Sequence, residues 1–351
     1  MRTRRGPLDV LASGVDQAMQ VFALTRSKRS RQRSTAESLG PEARVEALSK
    51  LAARYGGFVA KPDAFFPDPA AAEPNLRFVR PYARGRVVDL VWPSAYEPYA
   101  SELRDAYDGW ESNRRAHARL FTHGRPRPTV VLIHGYLGGN HGFEERVWPV
   151  RWLFDKGLDV VLFVLPLHGE RRASGRPKFP SSDPRLTIEG FRQFVGDFRA
   201  LHAYLRAREV PAVGAMGMSL GGYSAALLST LVDDLAFAIP MIPLASIADF
   251  ARDGDRFVGT ASQQRRQHAL LEETLSVVSP LSRPCLVPRA GRLVLAARGD
   301  RVTPMTHAQR LAHHLDAPLE VFTGGHLLQL GRGRAFHAVG RLLAGLGWFE
   351  A

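Results

Sequence analysis

The sequence of 351 residues contains one cysteine, Cys285, so the chain forms no internal disulfide and its cysteine content is compatible with a reducing compartment. Long apolar runs are also missing. No stretch reaches the roughly 20 residues that a membrane-spanning helix needs. The start of the chain is basic but is not followed by an apolar region, so we expect no secretory signal. These absences predict a cytoplasmic protein, with peripheral membrane contact as the alternative.

Signatures of bound cofactors are missing as well. The chain has no Gly-x-Gly-x-x-Gly or Walker pattern, so no nucleotide cofactor is predicted. His141, Glu144 and Glu145 form a small polar cluster, but their spacing does not match a metal-binding motif. We therefore expect no cofactor and no metal.

The net charge of +13 is concentrated towards the N-terminus. Residues 1–34 contain eight basic residues against Asp9 and Asp16. Aromatic residues are not interleaved with the basic run, so no nucleic-acid partner is predicted. Apolar residues at steps of three and four predict an amphipathic helix over residues 8–24. We expect this helix to pack on the protein body, and weak contact of residues 8–33 with anionic lipid is the alternative.

Regular structure is predicted at intervals before residue 129. Residues 41–55 have a helical pattern that ends at a glycine pair. Residues 58–84 are rich in proline and alanine and predict an extended loop, so residues 1–84 are interpreted as a helical N-terminal extension. Residues 85–92 predict a strand at the antiparallel edge of a sheet, and residues 100–121 predict a helix.

From Thr129 onwards strands and helices alternate, which predicts an α/β fold with a mostly parallel central sheet and helices on both faces. Residues 85–351 are interpreted as one catalytic domain. Within it, residues 244–287 are largely polar and predict a partial lid of two small helices. Thr303 and Pro304 predict the N-cap and first turn of a further helix. The predicted strands from this point are residues 129–134, 158–165, 211–218, 236–242, 292–298 and 319–322.

The pentapeptide Gly217-Met218-Ser219-Leu220-Gly221 lies between an apolar strand and an apolar helix. A strand that runs through Gly-x-Ser-x-Gly into a helix predicts a nucleophile elbow, with Ser219 at its tip. The two glycines remove Cβ atoms that would clash where the strand folds back against the helix. Ser219 is therefore the candidate nucleophile.

An acid and a histidine follow two later strands. Asp300 comes after the apolar run 292–298, and His326 follows residues 319–322 and a glycine pair. Because functional sites of open parallel sheets form at the carboxyl ends of the strands, we expect Ser219, Asp300 and His326 to meet there.

These motifs carry a family resemblance. The segment from Thr129 to Trp348 resembles the α/β-hydrolase superfamily of serine hydrolases in its elbow, its acid and histidine turns, and the loop His134-Gly135-Tyr136. The resemblance implies the α/β-hydrolase fold. It also implies that His326 activates Ser219, that Asp300 orients His326, and that the backbone N–H groups of Tyr136 and Leu220 form the oxyanion hole. Leu137 is the alternative donor if the loop shifts register.

Two assignments stay open in the sequence. Some members of the superfamily place the acid after the preceding strand, which makes Asp249 the alternative to Asp300. Relatives usually carry Asp-x-x-Gly-x-Gly where this chain has residues 165–172. In this divergent stretch His168 is a candidate brace for the oxyanion loop. Arg171 is a candidate ligand for an acidic substrate group or part of a solvated loop.

The predicted function is hydrolysis of a small-molecule carboxylic ester, thioester or amide through an acyl-enzyme. A peptidase of the same fold, a lipase anchored to a membrane surface by residues 8–33, and a non-catalytic binding protein are the alternatives. Non-catalytic relatives usually lose a triad residue or an elbow glycine, and this chain keeps all of them.

Overall fold

The computed structural model describes Ala12, Ser13, Asp16 and residues 39–66, 68–173, 175 and 179–349. The predicted helix over residues 8–24 falls largely outside this part of the chain. The described helices are α1 (Pro41–Tyr55), α2 (Pro62–Phe65), α3 (Arg104–Asp108), α4 (His141–Val147), α5 (Val150–Asp155), α6 (Pro184–Ala207), α7 (Leu220–Leu228), α8 (Ile247–Asp253), α9 (Ala261–Leu275), α10 (Met305–His314) and α11 (Arg332–Gly345). Helix α1 confirms the prediction over residues 41–55.

A nine-stranded sheet runs through the molecule in the order β1-β2-β3-β5-β4-β6-β7-β8-β9. Strands β1 to β3 are antiparallel to their neighbours, and all pairings from β5–β4 to β8–β9 are parallel. The mostly parallel sheet is therefore confirmed. The strands are β1 (Asn75–Tyr82), β2 (Gly85–Pro93), β3 (Arg115–Thr122), β4 (Thr129–Ile133), β5 (Asp159–Phe163), β6 (Val213–Met218), β7 (Leu235–Met241), β8 (Val294–Ala297) and β9 (Leu319–Phe322).

The central strands are buried on both faces. All five residues of β4 are buried. Val131 and Ile133 pack into a core shared with helices α6 and α7, whereas Val130 and Leu132 pack into a second core shared with α5 and α11. Successive side chains of a strand point to opposite faces, so helices cover both sides of the sheet, as predicted.

The predicted loop over residues 58–84 is wrong at its end, because residues 75–82 form β1 and pair with β2. Strand β2 consequently has a neighbouring strand on each side. The predicted domain boundary at residue 85 therefore falls between two paired strands. The side chains of β1 are exposed or half-buried, with Leu76 and Phe78 among the exposed ones. This edge strand therefore lacks the alternation of apolar and polar residues by which a half-buried strand is recognised in a sequence.

The predicted helix over residues 100–121 is also wrong beyond Asp108. Helix α3 is short and β3 follows it, with Ala116, Ala118 and Phe121 buried. Arg119 lies among them and donates two hydrogen bonds to Asp89 of the neighbouring strand. In this segment small apolar residues alternate with charged ones, a pattern that indicates a strand only weakly. The pairing of β3 with β2 and β5 determines its extended conformation.

The segment over residues 244–287 contains two helices, α8 and α9, as predicted. Helix α9 packs against α1 of the N-terminal extension, where the Thr274 hydroxyl donates to the Leu48 carbonyl over 3.2 Å. The role of this segment as a lid stays a prediction. No helix in the described part of the chain is long and apolar enough to cross a bilayer.

Candidate active site

The loops that carry the predicted residues leave the sheet at one edge. Strand β4 ends at Ile133 opposite Gly217 of β6, and Ala297 at the end of β8 pairs with Phe322 at the end of β9. Because these strands are parallel, the loops that follow all four meet at the carboxyl edge of the sheet.

Ser219 occupies the turn between β6 and α7. Its φ is +58° and its ψ is −113°, a combination that residues with a side chain rarely adopt. The Ser219 N–H donates to the Met241 carbonyl over 2.9 Å, which anchors the turn to the neighbouring strand. Strained backbone of this kind costs about 1–3 kcal/mol and persists where surrounding structure enforces it.

The elbow glycines are required by close backbone packing. A Cβ on Gly217 would lie 1.9 Å from the carbonyl oxygen of Gly221, and a Cβ on Gly221 would lie 2.0 Å from that of Ile133. Both contacts are with backbone atoms, which cannot rotate away. The glycines therefore let α7 approach the sheet closely enough to present Ser219.

We predict that Gly221→Ala lowers the free energy of unfolding by about 1–3 kcal/mol, because the added methyl group overlaps the backbone of β4. Gly196→Ala is the matched control. Gly196 lies inside α6, and its Cβ would meet no atom within 4 Å. That control should stabilise the protein by about 0.5–1 kcal/mol through helix propensity. Urea unfolding of both variants measures this, and equal destabilisation would contradict the packing argument.

A chain of two hydrogen bonds joins Ser219, His326 and Asp300. His326 Nε2 lies 3.0 Å from Ser219 Oγ, and His326 Nδ1 lies 2.8 Å from Asp300 Oδ2. A carboxylate only accepts, so His326 Nδ1–H donates to Asp300 and leaves Nε2 free to accept from the serine hydroxyl. The Asp300 side chain is 1% exposed and that of His326 is 11% exposed, so water competes little for these bonds.

Asp300 is held by its own turn. Its Oδ1 accepts from the backbone N–H groups of Val302 and Thr303, each over 2.8 Å. The Thr303 hydroxyl lies 3.0 Å from Asp300 Oδ2 and 3.1 Å from His326 Nδ1. The predicted role of Thr303 as a helix N-cap is wrong, because Pro304 occupies that position at the start of α10 and Thr303 faces the acid instead.

The loop after β4 lies directly against the serine. A Cβ on Gly135 would lie 3.4 Å from Ser219 Cβ, so the backbone of this loop passes close to the serine side chain. The next positions carry the half-exposed Tyr136 and then Leu137, whose φ is +71°. The N–H of Leu220 is the first of α7 and has no acceptor within that helix.

His134 supports this loop from below. Its Nε2 accepts from the Leu165 N–H over 3.0 Å, and its Nδ1 lies 2.7 Å from the Gly135 carbonyl. Burial lowers the pKa of His134 to about 3, so the ring is neutral at pH 7. Glu144 accepts from the Gly139 N–H over 3.0 Å and fixes the far end of the loop.

Together these groups place a hydroxyl against an imidazole, the imidazole against a buried carboxylate, and the backbone of Gly135 close to the serine side chain. An oriented imidazole can remove the serine proton as the oxygen attacks an electrophilic carbon. The arrangement is suited to acyl transfer.

The chain has relatives among known proteins. No family model matches the chain. Two uncharacterised proteins of Mycobacterium tuberculosis, from strains CDC 1551 / Oshkosh and ATCC 25618 / H37Rv, are 34% and 33% identical over 285 residues, which cover 78% of this chain and 68% of each relative. The three proteins therefore form one family.

Two solved structures share the fold. An acetyl xylan esterase from Paenibacillus sp. R4 is 18% identical with a TM-score of 0.57, covering 84% of this chain and 94% of its own. Acetyl xylan esterase 1 from Thermoanaerobacterium sp. JW/SL YS485 is 15% identical with a TM-score of 0.56, covering 86% and 94%. The chain therefore has the α/β-hydrolase fold.

The alternative acid, Asp249, lies in a different cluster. Its carboxylate accepts from His268 over 2.9 Å and pairs with Arg252 and Arg310. Asp249, His268 and Glu272 are also the one group of described residues whose ligand atoms lie close enough together for a metal ion. The Arg310 guanidinium contacts both carboxylates of that group, so it already supplies the positive charge that a metal ion would bring.

Neither interpretation of Arg171 holds in the structure. The side chain is fully buried and forms an ion pair with Asp197 over 2.7 Å, so it reaches neither substrate nor solvent. His168 is also fully buried, and burial lowers its pKa to about 4. Its ring packs against the rings of His134 and Tyr136, so His168 lies behind the loop that follows β4.

Sequence reasoning missed Asp16, which lies beside the turn that carries His326. Asp16 is one of the three described residues in the predicted N-terminal helix and is fully buried. Its carboxylate accepts from the backbone N–H groups of Arg301, His326 and Leu327. No local motif marks this role.

Proposed function

We propose that the protein is a serine hydrolase that cleaves carboxylic esters through an acyl-enzyme. The hydrogen-bonded chain from Ser219 through His326 to Asp300 carries this proposal. Two of the solved structures that share the fold are named as esterases, which supports an ester as the scissile bond.

In the proposed mechanism His326 Nε2 takes the proton of Ser219 as its Oγ attacks the ester carbonyl carbon. The imidazolium that forms is oriented and stabilised by Asp300. It then returns the proton to the leaving alcohol as the carbon–oxygen bond breaks. Water attacks the resulting acyl-serine with His326 again as base, which releases the acid and restores the serine.

The negative charge of the tetrahedral intermediates needs nearby donors. We propose the backbone N–H groups of Leu220 and Tyr136, with that of Leu137 as the alternative second donor. Leu220 begins a helix whose positive end faces the site, and Tyr136 follows the glycine that lies against Ser219. Each such donor typically stabilises the transition state by ~3 kcal/mol.

The surroundings of the site favour an uncharged, apolar substrate. Tyr136 and Leu137 follow the glycine beside Ser219, and Leu327 and Leu328 follow His326. Between 36% and 62% of each of these four residues is exposed. Exposed apolar side chains next to reacting groups are typical of binding sites for apolar groups. Arg171, the candidate for an acidic substrate group, is buried away from this surface.

We predict that the protein hydrolyses p-nitrophenyl esters and that a fluorophosphonate labels Ser219 alone. A series from acetate to laurate measures the acyl length that the site accepts through kcat/KM. The matching p-nitroanilides should react more slowly, because an amine is the poorer leaving group. Faster cleavage of the anilides would favour a peptidase, and an absence of both turnover and labelling would favour a binding protein.

Membrane contact through residues 8–33 stays a separate proposal. Flotation of the protein with anionic and with neutral vesicles tests it, and binding to neither would reject a lipase anchored by this segment.

A further inference from the structure

One acidic side chain joins the two turns that carry the proposed acid and base. Asp16 Oδ2 accepts from the Arg301 N–H over 3.2 Å and from the His326 N–H over 2.7 Å. Its Oδ1 accepts from the Leu327 N–H over 3.0 Å. Arg301 follows Asp300 directly, so a single carboxylate holds the backbone on both sides of the Asp300–His326 contact.

The surroundings fit this contact closely. The Ser13 hydroxyl donates to the Gly299 carbonyl over 2.6 Å, which places a second side chain of the same segment on the acid turn. A Cβ on Gly325 would lie 2.6 Å from Asp16 Oδ2 and 3.0 Å from the Ala12 carbonyl oxygen. Gly325 therefore leaves the room that the carboxylate occupies next to His326.

We infer that Asp16 is a positioning residue for catalysis: its carboxylate fixes the acid turn against the histidine turn, and so holds the His326 ring between Asp300 and Ser219. A buried carboxylate is stable only where donors converge on it. These three N–H groups converge only while the two turns keep their present spacing. The inference rests on the proposed function, since it assigns Asp16 a part in that same reaction.

The test compares Asp16→Ala and the isosteric Asp16→Asn with Asp159→Ala. Asp159 is likewise buried and accepts from the His123 N–H over 3.0 Å and the Thr122 hydroxyl over 2.8 Å, but it begins β5 at the opposite edge of the sheet.

Fluorophosphonate titration counts the competent sites, so turnover is expressed per site. We expect Asp16→Ala to lower kcat on p-nitrophenyl acetate about 100-fold at nearly constant KM, because small misplacements of catalytic groups have effects of this size. Asp16→Asn should show a smaller loss, and Asp159→Ala should keep kcat.

Gly325→Ala should disturb the spacing of the two turns in a second way. It keeps the Asp16 carboxylate but adds a methyl group in the space that this carboxylate occupies. It should lower kcat as Asp16→Ala does, and the double variant should be no worse than either one alone. Additive losses would overturn the inference.

A spectroscopic readout separates this inference from the proposed function. The His326 Nδ1–H proton that donates to Asp300 is expected to give a downfield NMR resonance, assigned by its loss in His326→Gln. Asp16→Ala should shift or broaden the resonance, and Asp159→Ala should not. If the wild-type protein hydrolyses no ester, the proposed function fails while the resonance still tests Asp16. If Asp16→Ala keeps both kcat and the resonance, the positioning role is wrong.

Discussion

Ser219→Ala is expected to reduce kcat for p-nitrophenyl esters by about 10⁶-fold, the loss typical when the nucleophile of a serine triad is removed. Without the hydroxyl no acyl-enzyme can form, and His326 has no proton to accept. The backbone donors and the apolar surroundings are unchanged, so binding of the ester should be retained. Steady-state kinetics and mass spectrometry of the fluorophosphonate-treated protein measure both consequences.

Ser229→Ala is a suitable control for this variant. Ser229 is buried at the end of α7, the helix that Ser219 begins, and its hydroxyl donates to the Ala226 carbonyl over 2.7 Å. Its loss should leave turnover unchanged. Retained turnover in Ser219→Ala, or continued labelling by the fluorophosphonate, would show that a different residue is the nucleophile.

Asp300→Asn is expected to reduce kcat by about 10⁴-fold through a change of tautomer. The asparagine oxygen can still accept from the Val302 and Thr303 N–H groups, which leaves its NH₂ group facing His326 Nδ1. An NH₂ group donates, so the imidazole must carry its proton on Nε2. That nitrogen then cannot accept the proton of Ser219.

Asp249→Asn is the matched control, because Asp249 is the acid that superfamily relatives offer as the alternative. Its contacts with His268 and Arg310 lie outside the Ser219–His326–Asp300 chain, so kcat should change little. A large loss in Asp249→Asn combined with activity in Asp300→Asn would move the triad acid to Asp249.

The residues that were correctly predicted to lie close together in space are marked by sequence patterns next to them. Ser219, Asp300 and His326 each follow a strand directly, and parallel strands bring such positions to one edge whatever the rest of the chain does. Strand β4 and helix α1 carry similarly strong apolar patterns, and both were predicted close to their observed bounds.

Contacts that depend on distant partners could not be predicted in this way. The burial of Arg171 depends on Asp197 of α6, and nothing in the sequence around Arg171 distinguishes a paired guanidinium from a solvated one. Strand β1 owes its conformation to hydrogen bonds with β2 rather than to apolar alternation. The sequence marks Asp16 only as one of two acidic residues in a basic segment, whereas the structure buries it against three backbone donors.

The hydrogen bond from Asp16 to the His326 N–H joins residues that are 310 positions apart in the chain. Translation delivers Asp16 first and the histidine turn 310 residues later. A ribosome-bound chain therefore holds Asp16 without its partner until those residues have been added, and contacts between such distant positions form slowly. A chaperone or a protease that acts during synthesis consequently meets this protein before the His326 turn can pack against Asp16.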